Sequence, residues 1–122
     1  MGSFVPARAS AWFEIPASNL DKARAFYGAV LQTEIPVTEG GPNPIAIFPA
    51  RDEMASGHLY EGKPAGTGTG ITVHLSIADP LEEAMERVTE NGGRVVSPIV
   101  TIPAGRFVYC LDPDGNSFGL FV

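Results

Sequence analysis

RFVYCLDPDGNSFGLFV, residues 106–122, decides the fold. Phe107 to Leu111 and Phe118 to Val122 are rich in aromatic and β-branched residues, the side chains that fit a pleated, half-buried surface. Between them, Asp112-Pro113-Asp114-Gly115-Asn116 supplies a proline-fixed φ and then a glycine free to take positive φ. The two runs therefore read as a hairpin, and a hairpin needs further strands to cover its edges and bury its apolar face. The rest of the chain has to provide that sheet.

Working outward, the pattern strand, capped helix, three strands occurs twice. Ala11 to Ile15 reads as a strand stopped by Pro16, and Ser18-Asn19-Leu20-Asp21 follows as a capping box with Ser18 at the N-cap. Leu20, Ala23, Phe26, Tyr27, Val30 and Leu31 recur at spacings of three and four, the apolar stripe of a helix that packs on a sheet. Lys22, Arg24 and Gln32 fall outside it. Short strands are expected at 34–37, 45–48 and 57–60, between Gly/Pro/Asn clusters. Residues 71–78 open the second copy. Asp79-Pro80-Leu81-Glu82 caps its helix with proline at the first helical position. Leu81, Ala84, Met85 and Val88 repeat the stripe, and Asn91-Gly92-Gly93 ends it. Residues 94–96 and 99–102 then precede the closing hairpin.

The reading is an α+β domain of two βαβββ modules, residues 8–61 and 71–122, joined by a Gly-rich linker at 62–70. A strand, not a helix N-terminus, follows Gly66-Thr67-Gly68-Thr69-Gly70, which excludes a phosphate-cradling loop. Each module is apolar toward its single helix. Two of them side by side leave the opposite sheet faces curved around a shared cleft, a half-open cup.

Composition narrows the function. At 122 residues and 44% hydrophobic, the chain supports one core. Eight Lys+Arg against fourteen Asp+Glu give a net charge of -6, and the basic residues are scattered, so no nucleic-acid partner is expected. No apolar run approaches the ~20 residues of a membrane span, and no charged-then-apolar leader is seen, so a cytoplasmic protein without a membrane partner is expected. The single Cys110 excludes an intramolecular disulfide or a thiolate zinc site and reads as a buried structural thiol.

Strand alternation puts Trp12 and Glu14 on one face and Phe13 and Ile15 on the other; Thr72, His74 and Ser76 likewise oppose Val73, Leu75 and Ile77. Because the apolar sets face the helices, Glu14 and His74 look into the cleft. They either hydrogen-bond to each other across the modules, act as an acid/base pair, or join His58 as a Glu/His/His metal set. Trp12 offers a stacking platform. Tyr109 and Phe107 share a strand face and read as pocket wall or as core, whereas Phe26 and Tyr27 read as packing. His58, in a short loop-flanked strand, has a solvent-exposed reading beside the functional one. Asp112 and Asp114 read as turn-stabilising through Asx-type bonds.

FEIPASNLDKARAFY at 13–27, NGGRVV at 91–96 and RFVYCLDPDGNSFGL at 106–120 together resemble the vicinal oxygen chelate superfamily of glyoxalase I, bleomycin-resistance proteins and extradiol dioxygenases. The likeness is greatest to its short glyoxalase-related bacterial members. The resemblance implies the glyoxalase/bleomycin-resistance fold, commonly paired as a homodimer, and in the metalloenzymes a divalent ion held by His and Glu from the first and fourth strands of each module. Those positions fall at Trp12, at or beside His58, at Val73 or His74, and at Gly119, where the metalloenzymes carry Glu. Tryptophan and glycine offer no suitable lone pair, and a Mg²⁺-, Ni²⁺- or Zn²⁺-like site needs at least two or three N/O ligands. The expectation is a small-molecule ligand bound without a cofactor, with Glu14 and His74 in any catalytic role and Trp12, His58, Tyr109 and Gly119 around the ligand. The alternative is a lyase, isomerase or dioxygenase using one divalent metal ion at Glu14, His58 and His74.

Overall fold

A computed structural model describes residues 3–39, 41, 43–51, 56–78 and 80–122. The first module runs β1 (Phe13–Ala17), α1 (Leu20–Leu31), β2 (Val37–Thr38), β3 (Ile45–Phe48) and β4 (Gly57–Glu61). The second runs β5 (Val73–Ser76), α2 (Leu81–Glu90), β6 (Arg94–Val95), β7 (Val100–Ile102), β8 (Gly105–Leu111) and β9 (Ser117–Phe121). The first sheet has the order β1-β4-β3-β2, and the second β5-β9-β8, with β6 and β7 both paired to the far side of β8. In each, the first strand lies parallel to the last and the remaining pairs are antiparallel. The two modules thus share one topology, and β6 with β7 stands where the first module has β2.

The break between β6 and β7 has a local cause. Pro98 has no N–H to give the ladder, and at the break Tyr109 N donates to the Ser97 hydroxyl at 2.9 Å, a side-chain acceptor in place of a strand carbonyl. A second proline behaves differently from its sequence reading: Pro16 lies inside β1, opposite Tyr60, rather than ending it. β1 is at the edge of its sheet, where a residue without N–H is tolerated.

The helix starts also shift. Asn19, not Ser18, caps α1, its side chain accepting from Lys22 N at 2.9 Å. Ser18 turns away, its Oγ donating to Asp114 Oδ1 at 2.5 Å and its N to Asp114 Oδ2 at 3.0 Å. Pro80 occupies the N-cap of α2 instead of its first helical position, and Asp79 lies outside the described residues.

The helical stripes pack as their spacing requires. Leu20, Ala23, Phe26, Tyr27 and Val30 of α1 and Leu81, Ala84 and Val88 of α2 are buried against Ile15, Leu59, Leu75, Val108, Cys110, Phe118 and Leu120. Each fully buried Leu, Ile, Val or Phe among them contributes about 1.5–3 kcal/mol by leaving water. The core is continuous between modules, because Phe26 and Tyr27 of α1 meet Phe118 of β9 edge-on at centroid distances of 5.8 and 5.3 Å.

The closing turn fastens the modules together. Asp112 Oδ1 accepts from Asp114 N and Asn116 N, both at 2.9 Å, the expected Asx geometry, while its Oδ2 accepts from the buried Tyr27 hydroxyl at 2.6 Å. Asp114 departs from its reading, reaching Ser18 in the first module rather than its own turn. Asn116 Nδ2 donates to Pro16 O at 2.8 Å. The 62–70 segment packs on the same turn: Gly68 N donates to Gly115 O at 2.9 Å, and a Cβ on Gly115, whose φ is +85°, would meet Thr67 at 2.8 Å.

Candidate functional site

Register shows which residues of the two modules correspond. Ile15 pairs with Leu59 and Leu75 with Leu120, all four buried toward the helices. One residue earlier on each strand, Glu14 pairs with His58 and His74 with Gly119, so these four turn to the helix-free faces. Glu14 therefore holds the place in the first module that His74 holds in the second.

In the first module three side chains form a chain of hydrogen bonds. Trp12 Nε1 donates to His58 Nδ1 at 2.8 Å, and His58 Nε2 lies 3.1 Å from Glu14 Oε1. An indole N–H can only donate. His58 Nδ1 must then be the bare nitrogen, and Nε2–H points at the carboxylate. This differs from the sequence reading in two respects. His58 is 9% exposed, a buried ring rather than a surface one, and Glu14 pairs with it inside the first module, not with His74 across the cleft. Glu14 itself is exposed, so the chain ends in a carboxylate held in one orientation and open to an incoming molecule.

The second module uses apolar contacts instead. The His74 ring packs against Phe107, Tyr109 and Phe121 at centroid distances of 5.0, 5.6 and 6.1 Å. Desolvation lowers its pKa below the ordinary imidazole value, which favours the neutral ring. Gly119 makes room for it: a Cβ there would overlap His74 Nδ1 and Cε1. Phe107 and Tyr109 are accordingly neither core under the helix nor free wall. They are the bed on which His74 lies.

A cavity of about 920 Å³ runs along the seam between β1 and β5, and Trp12, Glu14 and His74 all line it. His58, Tyr109 and Gly119 are not on its wall; each instead positions a residue that is. Two lining residues are given no role in the sequence reading. Thr72 lines the cavity and its hydroxyl lies 2.6 Å from Ser117 Oγ; its alternation with His74 was the available signal. Arg8 also lines it, from a segment ahead of β1 that carries no periodic pattern. As a metal centre the donors do not fit. Both His58 nitrogens are engaged, Gly119 has no donor, and among the described residues no three His, Cys, Asp or Glu side chains converge to hold an ion.

These features have counterparts. A model of the Glyoxalase/Bleomycin resistance protein/Dioxygenase superfamily matches residues 9–120, while no curated protein matches the chain. Among solved structures, a hypothetical protein from S. aureus is 20% identical over 96% of this chain and 95% of its own, with a TM-score of 0.72. A glyoxalase/bleomycin resistance protein from Albidiferax ferrireducens T118 is 18% identical over 93% and 98%, with a TM-score of 0.69. The fosfomycin resistance protein FosX from Mesorhizobium loti is 16% identical over 97% and 93%, with a TM-score of 0.64. At such identities the structures speak for the fold, and the family model, spanning nearly all of the sequence, settles the rest: the chain belongs to the glyoxalase/bleomycin resistance protein/dioxygenase superfamily.

Proposed function

We propose that this cytoplasmic member of the superfamily binds a small planar organic molecule in the β1–β5 cleft without a metal ion. The observation that carries the reading is the content of one cavity wall: an exposed indole, a carboxylate oriented by a buried imidazole, and a neutral imidazole bedded on three aromatic rings. Stacking on Trp12 supplies area, and Glu14 accepts a hydrogen bond from a ligand N–H or O–H. If the bound molecule carries an acidic C–H or O–H near Glu14, the same carboxylate serves as general base. The metal-dependent lyase or dioxygenase reading requires His74 to leave its aromatic bed and join Glu14 and His58.

Trp12 is the only tryptophan, so its emission reports occupancy directly. A panel of aromatic and vicinal-oxygen compounds, titrated in the presence of a chelator, should contain at least one that shifts it saturably. Glu14→Gln should weaken that binding by about 1–3 kcal/mol, the range for a hydrogen bond to a charged group. Saturable binding that appears only after a divalent ion is added overturns the reading in favour of the metal-dependent one.

The functional unit in this proposal is a homodimer. Val96 and Ile102, on the β6–β7 edge of the second sheet, are 46% and 40% exposed, and pairing covers such an edge. Light scattering should give a mass near twice 12.9 kDa; a monomer mass at micromolar concentration contradicts it.

A further inference from the structure

Beside the cleft lies a second cavity of about 480 Å³ whose electrostatics run opposite to the rest of the molecule. The chain carries a net charge of -6, yet among the described residues this wall holds two guanidinium groups, Arg8 and Arg51, and no carboxylate. Three other arginines show what is unusual here. Arg24 is tied to Asp21 and Ile35 O, Arg87 to Val30 O and Arg106 to Glu82. Arg8 and Arg51 make no hydrogen bond or ion pair with a described residue. The remainder of the wall divides between hydroxyls, Ser56 and Ser76 among them, and an apolar floor that includes Phe13, Leu31 and Phe48.

We propose that this cavity is a second site, for a small organic carboxylate with an apolar body, in which Arg8 and Arg51 hold the carboxylate and the Phe13–Phe48 floor takes the hydrocarbon part. Guanidinium forks match a carboxylate in geometry as well as charge. Phe13 and Phe48 present adjoining rings, 5.4 Å apart, and the volume suits a molecule with a single ring. Arg8, Phe13, Ser56 and His74 line both cavities, so an anion here sits next to the first cleft and shares Arg8 with it, while Arg51 belongs to the second cavity alone and Glu14 to the first. The inference does not depend on what the first cleft binds.

The test uses benzoate, benzamide and inorganic phosphate against the full chain, followed by the arginine Nε–H signals in ¹H–¹⁵N spectra at low ionic strength. Benzoate should saturate in the millimolar range or below, with benzamide and phosphate each at least about tenfold weaker. Arg8→Gln/Arg51→Gln should lose at least that factor, whereas Glu14→Gln should not weaken benzoate. Equal binding of benzamide shows an apolar hollow without anion recognition, and equal binding of phosphate shows a charge site without an apolar floor. Either result overturns the proposal, as does an unaffected double variant or no saturation by about 10 mM.

Discussion

Single residues carry two kinds of cost in this chain. Gln32 closes α1 in the left-handed region, φ 56° and ψ 47°, where any side chain costs roughly 1–2 kcal/mol and glycine costs little. Gln32→Gly should therefore stabilise the fold by about 0.5–1 kcal/mol in urea titrations; a loss of stability contradicts the assignment. Gly119 is the converse case, a glycine needed for space and not for φ. Gly119→Ala should cost about 1–3 kcal/mol through overpacking on His74, and most of that cost should vanish in a His74→Ala background, where the clash partner is gone. Additive effects of the two substitutions would show that Gly119 has another role. Which face these residues occupy was legible from alternation alone. That His58, rather than His74, meets Glu14 was not. The parallel β1–β4 register is set by packing at the end of a long connection and not by a turn, so neither spacing nor residue type announces it.

At the scale of elements, the closing hairpin was the most legible part of the sequence, and its turn does more than reverse the chain. Asp112 accepts from two backbone N–H groups, from Asn116 Nδ2 and from the Tyr27 hydroxyl. Asp112→Ala removes all four and leaves a buried phenol unpaired, so it should destabilise the protein by about 3 kcal/mol or more, whereas Asp114→Ala, at an exposed bond to Ser18, should cost about 1 kcal/mol or less. Equilibrium unfolding of the two variants separates them; equal costs would mean that the turn is not the fastening. The α1 cap was misread by one residue because Ser18 and Asn19 both favour the N-cap position. Tertiary structure decides between them, since Asp114 arrives from 96 positions away to engage Ser18.

The whole molecule should lose stability on the alkaline side. Burial, together with the negative charge of Asp112, raises the Tyr27 phenol well above its ordinary value of 10.0, and burial raises the Cys110 thiol from 9.0 to about 12. In both cases the folded chain keeps a proton that the unfolded chain releases. Their stabilising contribution is complete below about pH 9 and falls as pH climbs toward 12, by up to about 1.4 kcal/mol per pH unit for each group. Urea midpoints at rising pH should follow that fall, and a flat profile between pH 9 and about 11 would contradict the buried positions of both groups. His74 has the opposite sign, its lowered pKa adding stability that is present above pH 6.5 and lost as pH falls through the folded value.

The central claim, that Trp12, His58 and Glu14 form a hydrogen-bond chain that orients the carboxylate at the cleft, is tested most directly by the tautomer of one ring. A long-range ¹H–¹⁵N spectrum assigned through His58→Ala should show, at about pH 8, an unprotonated Nδ1 and a protonated Nε2, unchanged by one equivalent of Zn²⁺. The reverse tautomer, or a shift of either nitrogen on adding zinc, would contradict it.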